Sequence, residues 1–371
     1  MSKALIAMSG GVDSSVAAYL MKEAGYDCVG VTMRLFTNDE AAVSREKSCC
    51  SVEDTEYARA VAFRLGFPYY VFDFSDDFRR KVIEPFIDAY ENGRTPNPCI
   101  DCNRYLKFES LYRRAAELGC DTIVTGHYAS VEKRDGRMAL RKAADETKDQ
   151  SYVLYSLTQE QLRHTVFPLG KTRKTETREI AASLGLLNAE KPDSQDICFV
   201  PDGDYAGVLE HLTGKAYPAG EIVDKYGKVL GMHGGIIHYT MGQRKGIGLA
   251  MPAPVYVTDI IPETNTIVVG ANEDLFTRTL IAEDFNWIAY DTPPETLRAK
   301  AKIRYKQPEK DAEVFALPDG RVKIVFDEPV RAVTKGQAAV LYDDEGYILG
   351  GGTICAKGED APYGERDDET E

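Results

Sequence analysis

The sequence predicts an α/β protein: an N-terminal doubly wound parallel sheet followed by two small β-rich domains. Three observations lead there. Apolar strand-length runs alternate with helix-length segments over residues 3–127. A glycine pair stands at the first junction between them, and after about residue 200 short strands are separated by Gly- and Pro-rich turns.

Residues 3–8, 26–33 (YDCVGVTM), 69–74 (YYVFDF) and 121–127 (DTIVTGH) read as strands, with helices over 12–24, 53–66 and 104–118. Strand and helix in alternation give a parallel sheet covered by helices. The ligand crevice of such a sheet lies at the carboxyl ends of its strands, and Met8–Ser15, Met33 and Gly126-His127 fall at those ends. Beyond residue 200, AYPAGEIVDKYGKVLG, HYTMGQRKGIGL, VYVTDIIPETNTIVVG and EVFALPDGRVKIVFDEPV carry hairpin turn signals. The expected division is a catalytic domain over 1–200, a small β-rich domain over 201–280, a barrel-like β domain over 281–357 and an acidic disordered tail over 358–371.

The 371 residues carry a formal charge of −14, which argues against a nonspecific nucleic-acid coat but leaves room for a local basic track. Seven acidic residues against Arg366 give the tail −6, leaving −8 elsewhere. No apolar run approaches the ~20 residues that span a bilayer, and Met1-Ser2-Lys3 leads directly into a core strand. A cytoplasmic protein without a membrane partner is expected. There the eight cysteines would be reduced, so a cysteine pair points to catalysis or metal binding.

In MSGGVDSS (8–15), Gly10 and Gly11 permit positive φ and close backbone approach. Asp13, Ser14 and Ser15 then open a helix whose free N–H groups favour an anion. The lysine of a P-loop and the spacing of a Rossmann fingerprint are both missing. The plainest reading is a tight turn with a polar cap. After a first strand, however, Ser-Gly-Gly-x-Asp-Ser resembles the PP-loop of the N-type ATP pyrophosphatases, of adenine nucleotide alpha hydrolase-like fold. These enzymes split ATP to AMP and pyrophosphate and activate a carbonyl oxygen as its adenylate.

GRTPNPCIDCNRYLKF (93–108) places Cys99 and Cys102 in a Pro-rich loop before a helix, where both are expected to be exposed. The helix N-terminus and Arg94, Arg104 and Lys107 would favour their thiolates. KPDSQDICFVPDGDY (191–205) presents Cys198 in a second loop. Cys49-Cys50 reads as a helix entry, with a further sulfur relay as the other possibility; Cys28, Cys120 and Cys355 read as small apolar fillers.

Over nearly its full length the chain resembles the bacterial tRNA-specific 2-thiouridylases. The resemblance rests on Ser-Gly-Gly-Val-Asp-Ser-Ser, Gly-Arg-Thr-Pro-Asn-Pro-x-x-x-Cys-Asn, Thr-Gly-His-Tyr, Lys-Asp-Gln-Ser-Tyr, Asp-Ser-x-x-Ile-Cys-Phe, Gly-Gln-Arg-Lys-Gly and Gly-Gln-x-Ala-Val. It implies ATP with Mg2+ held by Ala7, Met8, Ser9, Gly10, Gly11, Val12, Asp13 and Ser14 together with Met33 and Gly126. It implies a persulfide on Cys198, supplied by a sulfur donor such as a desulfurase or carrier protein, and Cys102 as the nucleophile that acts on it. The C2 carbonyl oxygen of the first anticodon uridine would be adenylated and replaced by sulfur, with a transient Cys102–Cys198 disulfide as one route. Cys99 departs from the acidic residue many members carry there. With Cys102 and Cys198 it makes three thiolates that could instead hold a four-iron four-sulfur cluster.

RAKAKIRYK places Arg298, Lys300, Lys302, Arg304 and Lys306 on one face of a strand and Ala299, Ala301, Ile303 and Tyr305 on the other. Such a face is either solvated or a phosphate track. Further cations lie in 170–178 and 242–246. By resemblance, contacts to tRNA fall to His127, Lys148, Asp149, Gln150, Arg304, Tyr305 and Gln337, and contacts to the target base to Asn97, Pro98 and Cys99. Two other classes share parts of this pattern: an amide ligase that adenylates a small metabolite, and a noncatalytic RNA-binding or redox-sensing protein.

Overall fold

The computed structural model describes residues 2–36, 52–186, 188–191, 197–200 and 203–357. Cys49-Cys50 and the acidic tail lie outside the described residues.

Strands β1 (Lys3–Ala7), β2 (Asp27–Arg34), β3 (Tyr69–Asp73), β4 (Thr122–Val124) and β7 (Thr165–Val166) form one sheet in the order β3-β2-β1-β4-β7, with every pairing parallel. β2 and β4 flank β1 on opposite sides, so the strand order reverses beside β1 and opens a crevice at its carboxyl end. Helices α1 (Val12–Glu23) and α2 (Val52–Leu65) cover one face. There Ala4, Ile6 and Met8 pack on Val16, Ala58 and Val61. The other face, including Leu5, Val29 and Val31, packs under α3 (Ser75–Phe78) and α4 (Glu84–Glu91), joined by π-helical turns, and under a long helix. That helix begins as α5 (Pro98–Asp101), widens to π geometry over Cys102–Ser110 and ends as α6 (Leu111–Glu117).

A hairpin of β5 (Ala129–Arg134) and β6 (Arg137–Lys142), unforeseen above, follows the sheet's fourth strand. Its turn is Asp135-Gly136, with φ of 49° and 82°, the paired positive values that a two-residue hairpin turn requires. Short helices α7 (Gln159–Arg163), α8 (Lys174–Ser183) and α9 (Tyr205–Thr213) complete the helical layer. The central domain is a four-stranded sheet of β8 (Gly220–Asp224), β9 (Val229–His233), β10 (Tyr256–Ile261) and β11 (Thr266–Gly270). The last domain is a closed six-stranded barrel of β12 (Phe276–Trp287), β13 (Thr296–Lys302), β14 (Lys310–Ala316), β15 (Val322–Arg331), β16 (Ala338–Tyr342) and β17 (Ile348–Lys357). One apolar cluster runs from Leu5 of the parallel sheet through Ile260 and Ile267 of the central sheet to Val340 and Ile348 of the barrel.

The expected basic face is corrected in two respects. β13 stops at Lys302, so Arg304 and Lys306 lie in the following turn and the two-residue period breaks. Two of the cations before the break are neutralised locally: Arg298 makes a bidentate pair with Asp327 at 2.8 and 2.6 Å, and Lys300 pairs with Asp344 at 3.0 Å. Of the expected apolar face, Ala299, Ala301 and Ile303 are buried, at 8, 2 and 4 % exposure, whereas Tyr305, beyond the strand end, is exposed.

The glycine turn fixes how closely the first loop meets α2. At Gly10, φ is +73° and an added methyl carbon would lie 2.3 Å from the Asp54 carbonyl oxygen. Gly10→Ala is expected to lower the unfolding free energy by about 3 kcal/mol, the left-handed penalty plus strain against Asp54. Gly25→Ala, also at positive φ but with nothing within 4 Å, should lose only ~1–2 kcal/mol. Urea denaturation of both variants measures the difference, and equal losses would mean that the Asp54 backbone yields.

Candidate functional site

The turn after β1 is drawn tight by its own polar groups. Ser14 and Ser15 hydroxyls each donate to the Gly11 carbonyl at 3.0 Å, and the Ser9 amide donates to Ser14 Oγ at 3.2 Å. Met8 is held from the β2 side, its amide on Val31 O at 2.8 Å and its carbonyl accepting from Thr32 Oγ1 at 2.6 Å. Across the crevice, a methyl added to Gly126 would stand 2.8 Å from the Ser14 amide nitrogen. Only a glycine fits so closely against the α1 N-terminus, so Ala7–Ser14 and Gly126 meet at the carboxyl edge of the sheet, with Met33 next to last in the adjacent strand. Backbone N–H groups at a helix start, with a residue lacking a side chain opposite, suit a phosphate chain.

Asp13 in the first turn of α1 is gripped by Lys174 Nζ at 2.7 and 2.8 Å, and the Tyr128 hydroxyl lies 2.9 Å from Asp13 Oδ1. Tyr128 also reaches Thr177 Oγ1 at 3.0 Å. Lys174 is only 8 % exposed and opens α8, where the helix dipole disfavours a cation; Asp13 compensates it. Asn188 donates to Gly10 O at 2.8 Å and Ser15 Oγ at 3.0 Å. Neither Lys174 nor Asn188 was singled out above. A lysine at a helix start is the available signal for the first, since it demands an acidic partner; nothing local marks the second.

The thiols differ in exposure, against the expectation that both loop cysteines would be open. Cys99 is exposed, whereas Cys102, already inside the helix, is 9 % exposed and belongs to the apolar cluster under the sheet. Cys198 is half-buried and packs on that cluster, beside Phe199, whose ring sits edge-on to Phe78 and Phe86 at 5.7 and 5.1 Å. Among the described residues no disulfide forms, and no three His, Cys, Asp or Glu side chains are grouped to hold a metal. Cys99, Cys102 and Cys198 therefore do not present the ligand set of a cluster.

The barrel closes on the cysteine loop. The Thr95 amide donates to Lys335 O at 2.9 Å and Gln337 Nε2 to Thr95 O at 2.7 Å, and a methyl on Gly336 would meet Thr95 backbone atoms at 3.1 Å. Asn97 caps the helix by accepting from the Cys99 amide at 3.2 Å, and Pro98 is buried. Tyr305, 38 % exposed, donates to Asp149 O at 3.2 Å. Burial raises its phenol, and Asp149 and the Cys99 thiolate push the same way, so Cys99 lies within electrostatic reach of Tyr305. Gln150 accepts from the Tyr128 amide at 3.0 Å, and Lys148 precedes this pair at the same seam. Asn97, Cys99, Asp149, Gln150, Tyr305 and Gln337 thus share one region.

Two expected RNA contacts face inward. His127 is 8 % exposed, with Nδ1 2.6 Å from Thr125 Oγ1 and the ring between Phe108 and Phe167. Burial, with Lys107 adding to it, holds it well below the usual histidine range, so it is neutral at pH 7. Arg304 turns into the barrel mouth, where Nη2 meets Met241 O, Ala332 O and Thr334 Oγ1 at 3.2, 3.1 and 2.6 Å.

Three family profiles match the chain: "tRNA methyl transferase HUP domain" over residues 2–202, "tRNA methyl transferase PRC-barrel domain" over 207–271 and "Aminomethyltransferase beta-barrel domain" over 277–354. Two curated proteins, both named tRNA-specific 2-thiouridylase MnmA, are similar along nearly their whole length. That of Clostridium botulinum (strain Alaska E43 / Type E3) is 50 % identical and that of Clostridioides difficile (strain 630) 51 %, each match covering 95 % of this chain and 98 % of the relative. The chain belongs to the tRNA-specific 2-thiouridylase family. A solved 4-thiouridine synthetase–RNA complex with bound ATP is 20 % identical over 57 % of this chain and 53 % of that one, with a TM-score of 0.38, too low to bear on the site. No helix among the described residues is long and apolar enough to cross a membrane.

Within this family member, the residue before Cys102 is electrostatically unusual. Burial pushes the Asp101 carboxyl up to about 6, Arg104 pulls it down and Asp284 pushes it up. A raised carboxyl holds its proton more tightly when folded, so its stabilising contribution is full in acid and is lost as pH rises from about 4 to 6. Asp101→Asn should therefore gain stability over the parent with rising pH, by up to ~3 kcal/mol between pH 4 and 7 at ~1.36 kcal/mol per pKa unit. Urea denaturation at the two pH values measures this, and a difference constant with pH would contradict it.

Proposed function

We propose that the protein is an ATP-dependent tRNA 2-thiouridylase that replaces the C2 oxygen of the first anticodon uridine with sulfur. The observations that support the reading are a glycine turn at a helix start beside the sheet's carboxyl edge, and a buried and a half-buried thiol, in a chain half identical to proteins of that name. Mg-ATP would lie with its phosphates against Ala7–Ser14 and Gly126, and its adenosine toward Met33. The uridine O2 attacks the α-phosphorus and pyrophosphate leaves, which turns a poor leaving group into AMP. Asp13 and Lys174 hold the α1 N-terminus rigid while this happens.

Sulfur arrives from a donor as the outer atom of a Cys198 persulfide. Cys102 thiolate attacks Cys198 Sγ; a Cys102–Cys198 bond forms, the bond to the outer sulfur breaks, and hydrosulfide departs. It adds at C2, and AMP leaves with the original oxygen. A persulfide gives up its outer sulfur only when another thiolate takes the inner one. The shielding of Cys102 supports this assignment, because sulfide set free away from water reaches C2 before it escapes. The tRNA would be gripped at the seam of Asn97, Cys99, Lys148–Gln150, Tyr305 and Gln337, a loop-lined opening suited to splayed single-stranded bases. Reaching His127 and Arg304 would require tRNA to open the seam first.

An amide ligase would not need Cys198, and an inert RNA binder would release no pyrophosphate. In Cys198→Ala, 2-thiouridine formation should fall by roughly a thousandfold, the scale for loss of a covalent participant, while tRNA-dependent pyrophosphate release persists. Mass spectrometry of digested tRNA and a pyrophosphate assay read the two steps. Undiminished thiolation by this variant would sink the persulfide assignment.

A further inference from the structure

Under this sulfur-transfer scheme each cycle ends with Cys102 and Cys198 joined, and the enzyme must separate them before sulfur can be loaded again. Cys102 is 9 % exposed and Cys198 half-buried on the same apolar cluster, so the Cys102 sulfur of that bond is shielded from a bulky reductant. Cys99 is exposed and lies three residues before Cys102 in the same helical turn. Its amide donates to the Asn97 cap, and the Cys102 amide donates to the carbonyls of Pro98 and Cys99.

We propose that Cys99 is the resolving thiol of the cycle, relaying the disulfide from the shielded Cys102 to the protein surface. Cys99 thiolate attacks Cys102 Sγ; the Cys99–Cys102 bond forms, the Cys102–Cys198 bond breaks, and Cys198 leaves as a thiolate ready to accept sulfur again. A dithiol reductant then attacks Cys99 Sγ, and two successive exchanges return both thiols and leave the reductant as its disulfide. No other oxidant or reductant is required.

Helix geometry allows the step. Residues three apart have Cα atoms about 5 Å apart, from a rise of ~1.5 Å per residue and a radius of ~2.3 Å, inside the roughly 4.4–6.8 Å that a disulfide spans. Their Cβ atoms are about 5–6 Å apart, wider than the roughly 3.5–4.5 Å of a relaxed bridge. Closing it therefore asks the first helical turn to tighten.

The inference rests on the thiouridylase reading, and one experiment separates the two. Full-length enzyme is loaded with sulfur, given Mg-ATP and one equivalent of tRNA without reductant, then alkylated and mapped without reduction. The expected parent product is a Cys99–Cys102 disulfide with Cys198 alkylated; Cys99→Ser should yield Cys102–Cys198 instead. With a dithiol reductant present, the ratio of steady-state to first-turnover thiolation should fall at least tenfold in Cys99→Ser. A parent enzyme that makes 2-thiouridine yet accumulates Cys102–Cys198 with Cys99 alkylated overturns the resolving role, as does an unchanged ratio in the variant. Thiolation only by protein reconstituted with iron and sulfide overturns it too. A parent that makes no 2-thiouridine overturns the functional reading itself, and this role with it.

Discussion

The contact between Asp13 and the buried Lys174 is the constraint on which the crevice depends. It joins the first turns of α1 and α8, and Tyr128 draws the chain after β4 to the same carboxylate. Asp13 thereby meets two segments that lie 115 and 161 positions further along the chain. Removing Asp13 would leave the Lys174 charge buried without its carboxylate, which costs about 3–5 kcal/mol. Asp13 thus cannot be traded for a neutral residue without disturbing the α8 start. Gly126 becomes obligatory for a related reason, since the α1 start leaves no room there for a Cβ, and Gly10 is obligatory because the α2 backbone at Asp54 leaves none on the other side.

A second constraint acts between domains. The cysteine loop has little regular structure of its own before Pro98, and its backbone groups are satisfied by the barrel, through Lys335 O and the Gln337 amide. Glu91 adds contacts to Lys215 and Tyr217, and Arg104 pairs with Asp284 of β12. The exposed pairs contribute little individually. The continuous apolar cluster through all three domains is what makes the arrangement one body. The barrel therefore sets the position of Asn97 and Cys99, and any RNA reaching the crevice must pass a rim built from both ends of the chain.

The parallel sheet and the phosphate turn were legible in the sequence because their signals are local: a strand, two glycines and a helix start within a dozen residues. The apolar alternation of Ala299, Ala301 and Ile303 was legible for the same reason. Arg304 was not, since the strand ends two residues earlier and a period of two carries no notice of its own termination. Asp135-Gly136 was readable as a hairpin turn and was passed over because the flanking charges hide the alternation of β5 and β6. The Asp13–Lys174 pairing spans 161 positions, and the burial of Cys102 depends on how its helix docks. Neither leaves a local trace.

The unequal exposure of the cysteines follows from where each sits on its helix or loop, and it suits a division of labour under the proposed chemistry. A thiol that accepts sulfur from another protein must be reachable, and Cys198, half-buried on a short connection, is. A thiol that expels sulfide toward an adenylated base is better kept from water, because bulk solvent would dilute the nucleophile and hydrolyse the adenylate. Cys102 meets that demand by lying one helical turn beyond the Asn97 cap, where the chain has entered the apolar layer. Shielding has a chemical consequence: the environment that preserves the adenylate also slows reductants at Cys102. An enzyme with this geometry needs either opening of the whole seam in each cycle or a surface thiol within one helical turn of the buried one, and position 99 supplies the second.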